Sequence, residues 1–358
     1  MKISLVVSDF HIGAGRYLPD GTPNTLEVFH EDRRFIQFLE YHCSGQYADA
    51  EVELVLNGDF FNLLQIGYDE PDPTSITESN AIGKLDRILD GHPEVFEALG
   101  RFAHTPNKRV VCMLGNHDPG LVFDGLKDRI IERIGGDWEF HIDPYVREGV
   151  YIDHGNIHDI SNRHDPNKLL LTRGLPEPIL NLPWASYFLI RFVNRIKEER
   201  PYIDIVHPFK KYMRWTLFND FWWGLWTRLR TVGFFFASLF SPRGKRPGFA
   251  ATVNMVRAIR LGGGRRDEAA ARRILRRKDL RVVILGHFHR PTHLRIGPGK
   301  SYINTGTWNH IVSFDPGSLG TRSLLTYAHV EFTDQGPRAT LKEWLGRHEP
   351  ERELDWIG

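Results

Sequence analysis

Five short segments of the chain are rich in residues that bind metal ions or transfer protons. They lie at residues 8–11 (SDFH), 58–62 (GDFFN), 115–118 (GNHD), 153–156 (DHGN) and 286–289 (GHFH). Carboxylates, imidazoles and an amide oxygen suit divalent transition ions, Mn first and Fe, Zn, Co or Ni as alternatives. Two such ions close together can polarise both the attacking and the leaving oxygen of a phosphoryl transfer. The residue types therefore predict hydrolytic chemistry at a site that holds two metal ions.

The elements that carry these segments are predicted to be strands of an α/β protein. Apolar runs at residues 3–7, 52–56, 110–114 and 282–285 precede four of the segments, and residues 146–153 form a short strand before His154. In an α/β sheet, ligands gather outside the carboxyl ends of the strands. Segments that are far apart in sequence are therefore expected to meet at one rim.

Helices are predicted between these strands. Residues 79–104 carry apolar positions at helical spacing, and Pro93 divides them into two helices because proline removes a backbone donor. Residues 121–134 show the same spacing and predict another helix.

The order and content of the five segments resemble the calcineurin-like metallophosphoesterase family, whose pattern reads D-x-H, GD-x-x-D, GNH-D/E, H-G and G-H-x-H. The resemblance implies a four-layer α-β-β-α sandwich and a hydroxide between two metal ions as the nucleophile. It assigns one ion to Asp9, His11 and His289, and the other ion to Asn116, His154 and His287. It makes Asp59 the ligand that both ions share, and it implies that His117 stabilises or protonates the leaving oxygen.

The second segment departs from the family pattern at its last position. Many relatives close it with an Asp that orients the histidine of GNH, whereas this chain has Asn62. A neutral amide still accepts a hydrogen bond, but it raises the pKa of His117 less than a carboxylate would. Asp118 is the alternative orienting residue. Asp159 is expected either to support the site from behind or to be an ordinary loop carboxylate.

The spacing of the segments predicts a discontinuous catalytic core. Residues 1–165 and 280–346 form this core, residues 166–279 form a helical insert, and residues 347–358 form a C-terminal tail. An insert of that length is normally functional or a subdomain. Strands are predicted near the C-terminus, in a second sheet, at residues 300–304, 311–314, 324–333 and 339–344.

The insert is unusually aromatic. Residues 187–196 and 212–225 predict helices, and residues 221–240 approach the length of a membrane span. Arg228 and Arg230 near its middle argue against a span. An amphipathic helix with basic flanks at Arg243, Lys245 and Arg246 suits an interfacial membrane contact or an acyl-chain groove. Packing against the core and binding of a protein partner are the alternatives.

A basic stretch follows at residues 257–281. Arg272, Arg273, Arg276 and Arg277 recur at helical spacing and give one helix face a positive charge. Such a face suits anionic lipid head groups, the phosphates of nucleic acid, or plain solvation.

Composition excludes a strongly polyanionic or polycationic protein, because 46 Lys and Arg residues stand against 45 Asp and Glu residues. The two cysteines, Cys43 and Cys112, do not suggest a disulfide framework. The first predicted strand starts at residue 3, where a signal peptide would otherwise lie. We therefore expect a cytoplasmic protein, with peripheral contact to the inner face of a membrane.

These observations favour hydrolysis of a phosphoester or pyrophosphate on an amphipathic or lipid-linked substrate. A hydrophobic helical insert between the H-G and G-H-x-H segments is similar to that of the UDP-2,3-diacylglucosamine pyrophosphatases, which usually have Arg where this chain has His117. A soluble protein phosphatase or a nuclease is the second hypothesis. A protein that keeps the fold without catalysis is the third.

Overall fold

The computed structural model describes residues 1–67, 71–240, 249–260, 266–314, 319–348 and 350–354. The helices of this part of the chain are α1 (Asp32–Tyr41), α2 (Glu78–Gly91), α3 (Pro93–His104), α4 (Asp124–Ile134), α5 (Trp184–Phe188), α6 (Asn194–Glu199), α7 (Phe209–Asn219), α8 (Phe221–Leu239), α9 (Phe249–Arg260) and α10 (Arg266–Ile274).

The strands alternate with the helices in the first half of the chain and follow one another in the second. They are β1 (Lys2–Val7), β2 (Glu51–Asn57), β3 (Lys108–Met113), β4 (Trp138–His141), β5 (Tyr145–Arg147), β6 (Val150–Asp153), β7 (Leu170–Leu171), β8 (Ile179–Leu180), β9 (Val206–His207), β10 (Val282–Leu285), β11 (Thr292–Gly297), β12 (Lys300–Asn304), β13 (Ile311–Ser313), β14 (Gly320–Arg322), β15 (Thr326–Thr333), β16 (Gly336–Trp344) and β17 (Glu351–Leu354).

The larger sheet has seven strands in the order β17-β16-β15-β1-β2-β3-β4. Strands β1 to β4 run parallel to one another, whereas β15 to β17 form an antiparallel extension. Strands β1, β2 and β3 are buried along almost their whole length because both of their faces are covered. Their carboxyl ends lie at one edge, as the sequence predicts.

The smaller sheet has five strands in the order β11-β12-β10-β6-β5, with β10 parallel to both β6 and β12. The two sheets share an apolar core. Val6 and Val55 from the larger sheet pack in one cluster with Ile152 and Ile284 from the smaller sheet. The parallel strands of both sheets therefore end near each other.

Helices cover the outer faces of both sheets and complete the predicted α-β-β-α sandwich. Helices α1 to α4 bury apolar residues such as Phe38, Leu85 and Leu99 against the larger sheet. Helix α10 places Ala271 against the smaller sheet, in a cluster with Tyr302. The fold class is confirmed, and Pro93 begins α3 just after α2 ends, as predicted.

The structure places three predicted segments differently. The predicted strands do not form one second sheet: β12 joins the five-stranded sheet, β15 and β16 join β1 in the larger sheet, and β13 pairs with β9 and β14. The predicted tail contributes β17, which pairs with β16, so residues 351–354 belong to the core. Helix α10, predicted to be part of the insert, packs on the core instead. Strand periodicity does not show which sheet a strand joins.

The insert is helical, as predicted, with two differences. Residues 184–199 form one helical rod in which a π-helical turn (Leu189–Val193) links α5 and α6. The predicted helix at residues 212–225 is divided at Asp220, which separates α7 from α8. Among the helices that the structure describes, none is both long enough and apolar enough to cross a membrane. Arg243, Lys245, Arg246 and Arg265, and the acidic loop residues Asp69 and Glu70, lie outside the described residues.

Candidate metal centre

All five chemically rich segments meet at the carboxyl ends of the parallel strands. Asp9 and His11 follow β1, Asp59 follows β2, Asn116 and His117 follow β3, His154 follows β6, and His287 and His289 follow β10. The first three strands belong to the larger sheet and the last two to the smaller sheet. The site is therefore built where the two sheets meet.

The first candidate ligand group contains Asp9, His11 and His289, whose ligand atoms all lie within 4.8 Å of one another. Nε2 of His289 lies 3.1 Å from Oδ1 of Asp9 and 3.1 Å from Nε2 of His11. This is the set that the family resemblance assigns to one ion.

The second candidate group contains Asp59, His154 and His287. Nε2 of His154 lies 3.2 Å from Oδ2 of Asp59 and 3.3 Å from the amide oxygen of Asn116. All members of the second predicted ligand set are thus present on the other side of Asp59.

Asp59 also belongs to a third group, together with His11 and His117. Its Oδ2 atom lies 3.9 Å from Nε2 of His11, which is a member of the first group. Asp59 therefore stands between the two sets, at the position of a shared ligand.

The backbone at the ligand positions is unusual. Among the described residues, seven non-glycine residues have a positive φ, and five of them are predicted ligands: Asp9, His11, Asp59, His287 and His289. Positive φ costs energy for residues with a Cβ atom and concentrates at functional sites. The strand-end turns are thus shaped to direct these side chains into one space.

Two glycines of the sequence segments are required by the close approach of ligands. A Cβ atom on Gly115 would lie 2.2 Å from Oδ1 of Asp59, and a Cβ atom on Gly286 would lie 2.7 Å from Oδ2 of Asp9. Any side chain at either position would displace a candidate ligand.

Hydrogen bonds from outside the ligand set fix the ligand orientations. Nδ1 of His154 lies 2.9 Å from the backbone oxygen of Asn57, so this nitrogen carries the proton and Nε2 faces the site. The backbone N–H of His287 donates to Oδ2 of Asp9 at 2.9 Å. Such supporting contacts determine which ring nitrogen is free to bind a metal ion. The contact to Asn57 uses a backbone atom, and therefore no sequence pattern could have indicated it.

The two predicted orienting residues have different surroundings. Nδ1 of His117 lies 3.0 Å from Oδ1 of Asn62, as expected for an orienting residue. The carboxylate of Asp118 accepts hydrogen bonds from the backbone N–H groups of Gly115 at 2.6 Å and Phe60 at 2.9 Å. Asp118 therefore joins the loops after β2 and β3, while Asn62 contacts the histidine ring.

Burial and charge shift the pKa values of the site in opposite directions. Burial disfavours the charged form of His154, but the carboxylate of Asp59 overcomes this effect and raises the pKa of His154 to about 10. Burial lowers the pKa of His11 well below its usual value and also lowers the pKa of His117. Burial, together with the charge of Asp59, raises the pKa of Asp118 to about 7. Asp59 is thus the charge that most strongly affects the pKa of His154.

Asp159 contacts the edge of the site rather than lying in an ordinary loop. Its Oδ2 atom lies 3.4 Å from Nε2 of His287, and its Oδ1 atom lies 3.5 Å from Arg266 of α10. Burial opposes ionisation of Asp159, but the hydrogen bond and charge of His287 lower its pKa.

A cavity of about 640 Å³ adjoins His154. Its walls come from the end of β3, the segment between β4 and β5, the loop after β6, and α10. They carry three arginines and two carboxylates: Arg163, Arg266, Arg273, Asp143 and Asp153. Arg272 and Arg277, from the same predicted basic face, instead pair with Glu268 and Asp279 at 2.7 and 2.6 Å. Only part of the predicted basic face thus borders the site.

No family model matches the chain, and no curated protein matches its sequence. The solved structures that resemble it over most of their length include the following three. A Vps29 mutant from Entamoeba histolytica is 10% identical, with 98% of this chain and 97% of that chain covered and a TM-score of 0.32. A predicted phosphoesterase from Streptococcus pneumoniae is 13% identical, with 98% and 96% covered and a TM-score of 0.29.

The calcineurin-like phosphoesterase YfkN from Bacillus subtilis is also 13% identical, with 95% of this chain and 90% of that chain covered and a TM-score of 0.35. Likenesses this weak carry no argument about activity. What the arrangement can do follows from its own residues: two ligand groups, joined by one buried carboxylate, at the rim of two sheets.

Proposed function

We propose that the protein is a metal-dependent phosphoesterase of the calcineurin-like type. The observation that carries the proposal is that two candidate ligand groups, Asp9 with His11 and His289 and His154 with His287, are joined through Asp59. Asn116 would complete the second group with its amide oxygen, 3.3 Å from His154.

The donors present fit divalent transition ions. Nε2 of His11 and Nε2 of His289 lie 3.1 Å apart with a carboxylate oxygen of Asp9 nearby, an arrangement that a cation would stabilise. Imidazole nitrogens combined with carboxylate oxygens favour Mn, Fe, Zn, Co or Ni. Two bound ions would polarise the phosphoryl oxygens and lower the pKa of water from about 15.7 toward 7.

The residues of the chain supply orientation and a proton. His154 and Asp9 are held in place by backbone groups, so the geometry exists before substrate binds. His117 lies in one group with His11 and Asp59. Its Nδ1 atom contacts Oδ1 of Asn62, which leaves Nε2 as the nitrogen that would face a leaving oxygen. His117 is the proposed donor of the leaving-group proton.

The insert supports an amphipathic or lipid-linked substrate. In α8 the small and polar residues face inward, since Gly224, Thr227 and Ser238 are buried. The large apolar residues face outward at spacings of three, four and seven: Trp222 is 71% exposed, and Trp226, Leu229, Phe236 and, directly after the helix, Phe240 are also exposed. An outward apolar stripe of this size marks an interaction surface.

The inner face of α8 is already packed, so the packing alternative accounts for only part of its aromatic residues. The ring of Phe234 lies 5.7 Å from that of Trp184 and 5.3 Å from that of Phe188. The polar groups that face inward bond to helix carbonyls, as Ser238 Oγ does to Phe234 at 2.7 Å. Apolar residues outside and self-bonded polar residues inside suit a lipid environment.

The proposed partner of this stripe is the surface of an anionic bilayer. Exposed Lys210 and Arg214 lie on the neighbouring helix α7, where they can reach anionic head groups. Tryptophan is favoured at the membrane interface because it has an apolar body and a polar tip. The proposed location is the cytoplasm, at the inner face of the membrane.

The cavity beside His154 suggests a second anionic group in the substrate. Arg163 and Arg273 extend into this space from two different elements, and both are exposed to solvent. A pyrophosphate linked to a lipid, as in the substrates of the similar diacylglucosamine pyrophosphatases, would place one phosphate at the metal ions and the other near these arginines.

A hydrolysis panel with Mn added tests the proposal. It compares p-nitrophenyl phosphate, its bis ester, a nucleoside diphosphate linked to a lipid, and single-stranded DNA. We expect chelator-sensitive hydrolysis with preference for the lipid conjugate. Preference for DNA with a steep salt dependence would favour the nuclease alternative, and preference for a phosphoprotein added to the panel would favour the protein phosphatase. Binding of less than one Mn ion per chain would favour the non-catalytic alternative.

Vesicle sedimentation tests the bilayer contact. We expect the full chain to bind vesicles that contain an anionic phospholipid, and the triple variant Trp222→Ser, Trp226→Ser, Phe236→Ser to lose most of that binding. The matched control is Ile131→Ser with Tyr202→Ser, which removes exposed apolar residues elsewhere. Equal loss in both variants would contradict a specific contact through α8.

A further inference from the structure

A continuous chain of polar side chains joins the insert to His117. Starting at the histidine, Nδ1 of His117 lies 3.0 Å from Oδ1 of Asn62, and Nδ2 of Asn62 donates to Oε1 of Gln65 at 2.9 Å. Nε2 of Gln65 then donates to Oδ1 of Asn194 at 3.0 Å and reaches Oδ2 of Asp204 at 3.3 Å. Asn194 and Asp204 belong to the insert, whereas Asn62 and Gln65 follow β2 in the core.

The direction of every hydrogen bond in the chain is determined at its far end. Nδ2 of Asn194 donates to the backbone oxygen of Leu64 at 3.0 Å, and a carbonyl oxygen can only accept. The carboxylate of Asp204 also only accepts, because Lys197 donates to it at 2.6 Å. Gln65 must therefore present its NH₂ group to the insert and its oxygen to Asn62.

The same reasoning continues to the histidine. The side-chain oxygen of Gln65 faces Asn62, so Asn62 donates its NH₂ group to that oxygen. The oxygen of Asn62 is therefore directed to His117. An oxygen acceptor at Nδ1 requires that Nδ1 carry the proton. The ring of His117, which lies in one group with Asp59 and His11, is thereby left with Nε2 as its free nitrogen.

Burial makes the arrangement rigid. Asn62, Gln65 and Lys197 are all buried, and Lys197 is paired with Asp204 rather than left as an isolated charge. A buried amide that loses a partner costs about 1 to 3 kcal/mol, which disfavours flipped orientations of the amides.

We infer that Gln65, Asn194 and Asp204 are positioning residues through which the insert fixes the catalytic orientation of His117. This inference rests on the proposed phosphoesterase function. In that reaction the oxygen of water bonds to phosphorus and the bond from phosphorus to the leaving oxygen breaks. For this step the ring of His117 carries a proton on both nitrogens: Nδ1–H donates to Asn62, and Nε2–H gives its proton to the leaving oxygen. The proton released by water then returns to Nε2.

The chain of amides explains how Asn62 can replace the orienting Asp of similar sequences. Either oxygen of a carboxylate can accept from a histidine, so an Asp needs no partner to point it correctly. An amide can flip and present its NH₂ group instead. That group donates a hydrogen bond, so it would favour an Nδ1 atom without a proton. Gln65, anchored by the insert, removes this ambiguity.

Leaving-group dependence in the full chain tests the inference. Gln65→Leu removes the link and should lower kcat for an alkyl phosphate, which needs a proton on its leaving oxygen, by about 10- to 100-fold. The same variant should lower kcat for p-nitrophenyl phosphate only a few-fold, with little change in KM. Asn194→Leu breaks the next link and should show the same selectivity.

The matched control is Arg191→Gln. Arg191 joins the insert to Asp72 at 2.7 Å without contacting the amide chain, so this variant loosens the insert and should leave the ratio of the two substrates unchanged. Equal losses on both substrates in Gln65→Leu and Asn194→Leu would overturn the inference.

Rescue provides the second measurement. Asn62→Asp in the Gln65→Leu background supplies an acceptor that needs no orienting partner, and it should restore the rate on the alkyl phosphate. Absence of rescue, with metal-dependent hydrolysis by the wild type intact, would overturn the role of the chain. Absence of metal-dependent hydrolysis in the wild type would instead overturn the proposed function.

Discussion

The two-sheet core and the insert use the same types of aromatic residue in opposite ways. In the core, Phe10, Phe38 and Trp308 are fully buried, with the rings of Phe10 and Trp308 stacked at 4.8 Å. In the insert, α8 turns Trp222 and Trp226 outward, and Ser238 is completely buried. An amphipathic pattern thus shows that two faces of a helix differ, but it does not show which face is exposed to water.

The difference separates two tasks. The core must hold buried charged ligands within a few tenths of an ångström, and the aromatic packing beside Asp9 and His11 provides rigidity. The insert must present a surface to something outside the molecule. Gln65 and Asn194 join the two regions at 3.0 Å, so the proposed docking surface and the proposed proton donor belong to one connected structure.

The strongest test of the comparison is removal of the ligand that both groups share. Asp59→Asn keeps the shape of the side chain but removes its charge, and we expect kcat/KM to fall by at least ~10³-fold, more than for the loss of one hydrogen-bond donor at a catalytic site. Steady-state kinetics and metal analysis on the same preparation measure both consequences. The control is Glu139→Gln on the outer strand β4. Ordinary activity from Asp59→Asn would contradict the shared-ligand assignment.

The aromatic core should respond to truncation with a large loss of stability. Phe38 is fully buried and its ring contacts those of Trp308, Tyr327 and Trp344 at 4.9 to 5.5 Å. Phe38→Ala should lower the free energy of unfolding by about 3 to 5 kcal/mol because it leaves a cavity. Urea denaturation measures the change. A loss below about 1 kcal/mol would mean that the helices outside the larger sheet are not part of a close-packed core.

Sequence reasoning predicted the core better than the insert, and the reason is physical. The strands before Asp9, Asp59 and His287 end in loops whose residue types are fixed by chemistry, so their meeting point followed from the rule for α/β sheets. Which face of α8 is exposed depends on the parts of the molecule that surround the helix. The role of Gln65 depended on Asn194, 129 positions away in the chain. Neither tertiary pairing leaves a periodic signal.

A buried charge cluster behind the site should make stability depend on pH. His92 bonds to Glu27 at 3.2 Å and also to Asp32, and Glu27 accepts the N–H of Gly15 in the loop after His11 at 2.8 Å. Burial disfavours the charged form of His92, but the carboxylates of Asp32 and Glu27 raise the pKa of His92 to about 9. The folded-state pKa is above the unfolded value of about 6.5, so the stabilisation is complete below pH ~6.5 and is lost as the pH rises through ~9.

The expected size of this effect is about 3 to 4 kcal/mol, because the pKa of His92 rises from about 6.5 to about 9 and each pKa unit corresponds to about 1.4 kcal/mol. Urea denaturation of the wild type and of His92→Gln at pH 6 and pH 9.5 isolates it. The advantage of the wild type should shrink between the two pH values. An advantage that stays constant would show that the cluster is held by packing rather than by charge.

The smallest change in the free energy of unfolding should come from a substitution on the outer face of α8. This result would distinguish the exposed aromatic residues of the insert most clearly from the buried ones of the core. Trp222 is exposed, so Trp222→Ser should change the free energy of unfolding by no more than about 0.5 kcal/mol, although a tryptophan in a core would cost several times as much. Urea denaturation of the vesicle-free protein measures it. A loss near that of Phe38→Ala would show that Trp222 is covered in solution by another part of the chain or by a second copy. The apolar stripe would then be an internal surface, and the proposed bilayer contact would lose its support.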